Sequence, residues 1–196
     1  MDPGTADDIL IDQARRGEDA AFRHLVDRYH SVVATTVVGM LGPGDEADDV
    51  GQETFIRFHA ALGQFRGEAA LGTYLRRIAM NLSLNALKRR RWTAFRFVSR
   101  DQSPTSIDEP PVDGIDLEAA ETRAVVRAAI DRLGPKHRPV VVLRMLDGLS
   151  TKETAEVLDL PLGTVLSRLA RALAELETTL GPYARDGGPI GRGGGR

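Results

Sequence analysis

Apolar residues recur every three to four positions through most of the chain, which predicts helices rather than strands. Residues 6–16 form a first short helix closed by Gly17. Beyond Glu18, the residues Phe22, Leu25, Val26, Tyr29, Val32, Val33, Val37 and Met40 keep helical spacing up to Gly42-Pro43-Gly44, which predicts a long core helix. Residues 45–62 make a third helix with acids in its first turns, where the positive end of the helix dipole favours carboxylates. Gly63 and Gly67 bracket a loop, and a fourth helix runs from about residue 70 to 92 through Leu71, Tyr74, Leu75, Ile78, Leu82, Asn85 and Leu87.

The pattern then stops. Over residues 93–115 periodicity disappears and Pro104, Pro110 and Pro111 arrive with acids, the composition of a linker too long for an ordinary connection inside one compact domain. A second helical block opens near Asp116 with the stripe Ala120, Val125, Ala129, Ile130 and Leu133, followed by a helix over residues 136–146 in which Pro139 sits early, where a missing N–H costs little. Residues 149–173 read as two short helices and a tight turn. Ser150 and Glu153 form a capping box for the first, residues 159–163 break it, and Thr164 is the expected N-cap of the second. Val165, Leu169, Ala172, Leu173 and Leu176 share one face of that second helix, with Thr164, Ser167, Arg168 and Arg171 opposite. The arrangement is that of a helix-turn-helix, which places a helix in a DNA groove. A Gly-rich tail over residues 181–196 is expected to be disordered. The expectation is therefore an all-α protein with two small helical domains, 1–92 and 116–180, joined by a flexible acidic linker.

Composition excludes several alternatives. The chain has no cysteine, which rules out disulfides and thiolate metal sites, and no apolar run near the roughly 18 residues needed to span a bilayer. No signal peptide is apparent, so a soluble cytoplasmic protein is expected. The net charge of −2 hides strong segregation. Asp45, Glu46, Asp48, Asp49 and Glu53 stand together without a base; residues 66–100 hold nine Lys or Arg against Glu68 alone; residues 101–122 hold seven acids and no base.

The basic helix joins Arg76, Arg77 and Lys88 to Arg91 with Asn81, Asn85, Tyr74 and Trp92, groups that neutralise phosphates and hydrogen-bond or stack on exposed bases. Asp49, Gln52 and Glu53, at i, i+3 and i+4, form one polar face of the third helix, which taken alone does no more than solubilise it. The acids lack histidine partners and a defined loop spacing, so no metal is expected, and no Gly-rich phosphate loop precedes a helix. No cofactor is expected. His24, His30, His59 and His137 fall in separate segments with no nucleophile beside them, and no catalytic residue is assigned.

Three ordered segments resemble the extracytoplasmic-function (ECF) group of the sigma-70 family, bacterial transcription initiation factors, across about residues 6–180. Asp45-Glu-Ala-Asp-Asp-Val-Gly-Gln-Glu-Thr-Phe is similar to the family's clamp-binding helix, Phe65-Arg-Gly-Glu-Ala-Ala-Leu-Gly-Thr-Tyr-Leu-Arg-Arg to its promoter-melting segment, and the helix-turn-helix to its second DNA-binding domain. The resemblance implies that Asp49, Gln52 and Glu53 contact the β′ clamp helices of core RNA polymerase, with the β flap as a second contact on the polymerase. It implies that Phe65, Arg66, Tyr74, Arg77 and Asn81 meet the minus-10 element, where the loop after Phe65 and Asn81 capture a flipped base, with Lys88, Arg89 and Arg90 on the backbone. Thr164, Ser167, Arg168 and Arg171 would meet the minus-35 element of promoter DNA. It further implies an anti-sigma partner, no membrane insertion, and no enzymatic activity of the chain itself. Gly51 replaces a usually apolar residue, Tyr74 stands where Trp is common, and Leu166 and Ala170 replace a basic residue and a His or aromatic, which thins the reading face. The competing reading is a free-standing dimeric helix-turn-helix regulator, which has no need of the acidic face; a nuclease would need a metal set that is missing.

Overall fold

The computed structural model describes the backbone of residues 3–97 and 117–185, with the side chains of residues 6–94 and 119–183. Helix α1 (Pro3–Arg15) precedes the long α2 (Asp19–Leu41), α3 (Asp45–Ala61) and α4 (Leu71–Phe97). Gly17, at φ 87°, ends the first helix in the left-handed region, and Gly42 and Gly44, at φ 85° and 125°, turn the chain between α2 and α3. After α3 a 3₁₀ turn (Leu62–Gln64) delivers Phe65 into the core. Helix α4 continues five residues beyond the expected Trp92, because residues 93–97 contain neither Gly nor Pro to stop it. The rest of the expected linker, 98–115, lies outside the described residues.

The second half begins with α5 (Leu117–Arg132). Helix α6 (Arg138–Val141) has Pro139 in its first turn and widens into a π-helical turn (Val142–Leu146). Helix α7 (Thr151–Leu158) opens on the expected capping box: the Glu153 N–H donates to Ser150 Oγ at 3.2 Å, and the Ser150 N–H to Glu153 Oε2 at 2.8 Å. These Ser150 contacts hold the Glu153 carboxyl below its ordinary range. Helix α8 (Leu162–Arg185) departs from expectation at both ends. Asp159, left-handed at φ 52°, ends α7, and the Pro161 carbonyl accepts from the N–H of Thr164 at 2.9 Å and of Val165 at 3.1 Å. Pro161 therefore starts α8, and Thr164 and Gly163 are its first-turn residues rather than its cap and turn. At the far end Pro182 lies inside the helix, so 181–185 are helical where a disordered tail was expected. Residues 186–196 lie outside the described residues. Leu173, expected inside, is 42% exposed. Among the described residues there are no strands.

The N-terminal core is built by Leu25, Val33, Val37 and Met40 of α2 against Phe58 of α3 and Leu75, Ala79 and Met80 of α4. Val142, Leu143, Leu149 and Val157 from the second half join the same cluster. Ile130, Leu133, Val141 and Ala172 make one further small core, and Val140, Ala155 and Val165 another.

The halves meet at the C-terminal end of α2. A helix leaves its last carbonyls without partners inside the helix, and here arginines from three other helices take those of Gly39, Met40 and Leu41 and share that of Val38, which also accepts from the Gly42 N–H at 2.9 Å. Arg127 donates to the carbonyls of Val38 (2.6 Å) and Gly39 (2.9 Å), Arg138 to Met40 (2.9 Å) and Arg90 to Leu41 (3.2 Å). Their positive charge also complements the negative end of the helix dipole. Arg138 is buried, and burial pulls its pKa down against the opposing effect of Asp131. Gly39 lets α2 and the π turn touch: a Cβ there would lie 2.7 Å from a Val142 methyl. One turn earlier, Thr36 donates to Asp147 Oδ2 at 2.5 Å, and Arg76 Nε of α4 lies 3.4 Å from the same oxygen. The Asp147 side chain is 1% exposed and its Oδ1 has no hydrogen bond, so burial pushes the carboxyl up despite Thr36 and Arg76.

Two α-helical glycines, Gly39 of α2 and Gly51 of α3, should respond oppositely to alanine. At Gly51 a Cβ meets nothing within 4 Å, so Gly51→Ala should stabilise the protein by up to about 1 kcal/mol. Gly39→Ala should cost about 1–3 kcal/mol by forcing α2 from Val142; urea unfolding of both variants checks the pair, and equal midpoints would contradict the assigned packing. A carboxyl raised on folding supports the fold fully below its unfolded pKa of about 4 and loses that support as pH climbs through the raised value. Asp147→Asn, fixed neutral, should therefore raise the melting temperature more at pH 7 than at pH 4. A shift equal at both values would show that Asp147 does not titrate upward.

Candidate nucleic-acid interface

Residues 77, 81, 85, 88 and 92 are spaced at three and four, so Arg77, Asn81, Asn85, Lys88 and Trp92 form one stripe along α4. All five are exposed, Trp92 by 73%. At its N-terminal end the stripe meets a cleft of about 780 Å³ lined by residues 63–69 with Tyr74 and Arg77. The cleft floor is aromatic: the Phe65 and Tyr74 rings lie 4.9 Å apart, edge to face, and each is 6.1 Å from Phe58. The arrangement offers a planar group a walled seat beside a guanidinium, an amide and a row of cations.

Two of the residues expected on this surface are not free to serve it. Phe65 is buried, 8% exposed, because the 3₁₀ turn aims it inward and Arg15 of α1 fixes the carbonyls of Leu62 and Phe65. It supports Tyr74 instead of facing DNA. Arg90 turns back to Glu46 of α3 and to the Leu41 carbonyl, capping α2, so its guanidinium is already engaged although 49% of the side chain is exposed. Tyr74 is half-buried; Lys88 and Arg89 are exposed; Arg66 is exposed and reaches Glu68 only at 3.9 Å. Arg77 donates to the Glu156 carbonyl of α7 at 2.7 Å, so one end of the stripe lies against the second half of the chain.

On α3, Asp49 and Gln52 are exposed and Glu53 pairs with Arg57 at 2.8 Å. Ile56, 61% exposed at i+7 from Asp49, adds an apolar residue at the C-terminal end of this acidic face. Its helical spacing from Asp49 was the signal for it in the sequence, and the reading of charges alone missed it. On α8, Thr164 and Arg168 are half-exposed and Ser167 and Arg171 exposed, with the Ser167 hydroxyl donating back to the Thr164 carbonyl at 3.1 Å. Thr36 and Asp147, which join the halves, were not singled out in the sequence, and Arg76 was read only as a phosphate-neutralising cation; their partners are distant in the chain. Among the described residues no helix is long and apolar enough to cross a membrane, and no group of three His, Asp or Glu side chains is placed to hold a metal ion.

The model for sigma-70 region 2 matches residues 25–93, and that for sigma-70 region 4 matches residues 123–176. The first match spans α3 and the α4 stripe; the second spans the helix-turn-helix. The ECF RNA polymerase sigma-E factor of Escherichia coli (strain K12) is 33% identical over 201 residues, covering 94% of this chain and 100% of that protein. The RNA polymerase sigma-H factor of Pseudomonas aeruginosa is 33% identical over 196 residues, covering 92% and 96%. Among solved structures, CnrH in complex with the cytosolic domain of CnrY superposes with a TM-score of 0.65 at 29% identity, covering 90% of this chain and 98% of that one. The sigma factor RpoE of Bartonella quintana, solved with the anti-sigma factor NepR, has the same fold: TM-score 0.64, 19% identity, coverage 82% and 96%. With both conserved regions in order and full-length relatives at this identity, the chain belongs to the ECF group of the sigma-70 family of RNA polymerase sigma factors.

Proposed function

We propose that this alternative sigma factor holds core RNA polymerase through α3, opens and reads the minus-10 element along α4, and reads the minus-35 element with α8. The observation that carries the reading is the α4 stripe ending in an aromatic-floored cleft. Melting a promoter needs a place for an unstacked base and a cationic track for its backbone. Tyr74, Arg77 and Asn81 serve the first need, and Lys88 and Arg89 the second. On α3, Asp49, Gln52 and Glu53 together with Ile56 combine an apolar anchor with polar neighbours, the make-up of a protein-facing patch. The polymerase supplies the chemistry; this chain supplies location and strand separation, is not itself an enzyme, and works in the cytoplasm.

The closed packing has a functional consequence in this reading. Arg77 is held by Glu156 of α7, and Arg76 by Asp147, so the second domain rests on the face that promoter DNA needs. The chain therefore opens at this junction when it joins polymerase. An anti-sigma protein is the regulator this reading calls for, acting by keeping the domains from their polymerase positions.

Substituting Asp49 and Glu53 together by Arg should weaken core-polymerase binding at least about tenfold, by placing like charges where opposite ones meet. The circular dichroism spectrum should stay that of the folded helical chain, with the melt lowered only slightly by loss of the Glu53–Arg57 pair. Undiminished affinity would refute the clamp assignment of α3. Asn81→Ala, assayed in the reconstituted holoenzyme, should weaken binding of single-stranded minus-10 DNA more than of a minus-35 duplex; equal losses would move base capture off α4.

A further inference from the structure

Helix α8 has an outward side that the minus-35 reading leaves unused. Val165 and Ala172 face the core, and Thr164, Arg168 and Arg171 occupy one flank of the exposed surface. On the opposite flank Leu162 and Leu166, one turn apart, are 51% and 55% exposed, and Leu173 continues the line at 42%. Between the flanks, Gly163, Ser167 and Ala170 are all small and all exposed. The helix thus presents an aliphatic edge and a cationic edge separated by a shallow strip.

An aliphatic edge gains nothing from phosphates or from polar base edges. The major groove displays one apolar group, the C5 methyl of thymine. A strip of small residues brings the helix backbone close to the groove floor, where both edges reach base pairs, and the arginines supply the charge that draws this face to DNA. Leu162 and Leu166 lie at the N-terminal end of α8, the part of a reading helix that contacts bases. We propose that Leu162 and Leu166 read thymine methyl groups, so that the upstream promoter element carries thymine opposite the aliphatic edge. This rests on the assignment of α8 to the minus-35 element.

The test uses holoenzyme assembled from the full chain and core polymerase, which first selects duplexes from a pool randomised across the upstream element. The selected duplex is then prepared with deoxyuridine at each thymine in turn and titrated against wild type and Leu166→Ala. At one or two positions the lost methyl should weaken wild type about fourfold, the worth of one buried methyl, and leave Leu166→Ala nearly unchanged. Equal losses in the two proteins would overturn the methyl contact while leaving the minus-35 assignment standing. No enriched upstream element would remove that assignment and this inference with it. Weakened core binding by Leu166→Ala without any thymine dependence would overturn the inference in favour of a protein-facing edge.

Discussion

The last turn of α2 holds the molecule together. Its terminal Gly39, Met40 and Leu41 carbonyls would be left to water in an isolated helix, and here Arg127 of α5, Arg138 of α6 and Arg90 of α4 converge on them. Each guanidinium meets an acceptor that the helix cannot satisfy itself, at the end where the dipole favours positive charge. Two of the three come from the second half of the chain, so the same helix end that closes the N-terminal bundle also seats the C-terminal helices. Gly39 permits the approach by leaving space for Val142, and Val142, Leu143 and Val157 complete an apolar core that neither half closes alone.

Beside this cap the Asp147 carboxylate sits between Thr36 and Arg76 at a cost in desolvation that one hydrogen bond and one ion pair do not fully offset. A buried charge of this kind suits a contact that is made and released better than one that is permanent. Its position ties the second half to α4, whose outer stripe carries Arg77, Asn81 and Lys88. In the proposed function one face of one helix therefore serves two partners, α7 in the free chain and promoter DNA in the working complex, and the exchange between them is the point of control. The charge alternation along the sequence fits this use: acids on α3 for a protein partner and bases on α4 for nucleic acid.

Local rules carried much of the fold. The Ser150–Glu153 capping box, the glycine stops after α1 and α2 and the core spacing of α2 depend on residues a few positions apart, and they stand in the structure as the sequence indicates. Where competition between neighbours decides, the sequence misled. Thr164 has the chemistry of a cap, but Asp159 adopts the left-handed turn and Pro161 starts α8, which leaves Thr164 inside the helix. Contacts between distant residues were illegible. Phe65 reads as a loop aromatic until the 3₁₀ turn and Arg15 bury it, and Arg90 reads as one cation of four until Glu46 and the α2 carbonyls claim it. The polar face of α3, by contrast, was visible as spacing, and only Ile56 at its C-terminal end was overlooked.

The claim that domain closure and promoter use of α4 exclude one another is open to a direct test, because the chain contains no cysteine of its own. Thr36→Cys and Asp147→Cys place two thiols where a 2.5 Å hydrogen bond now joins the halves, and neither residue belongs to a proposed DNA or polymerase contact. Run-off transcription with core polymerase should be lost in the oxidised variant and return when reductant opens the bridge. Equal transcript from the oxidised and reduced forms would contradict the account.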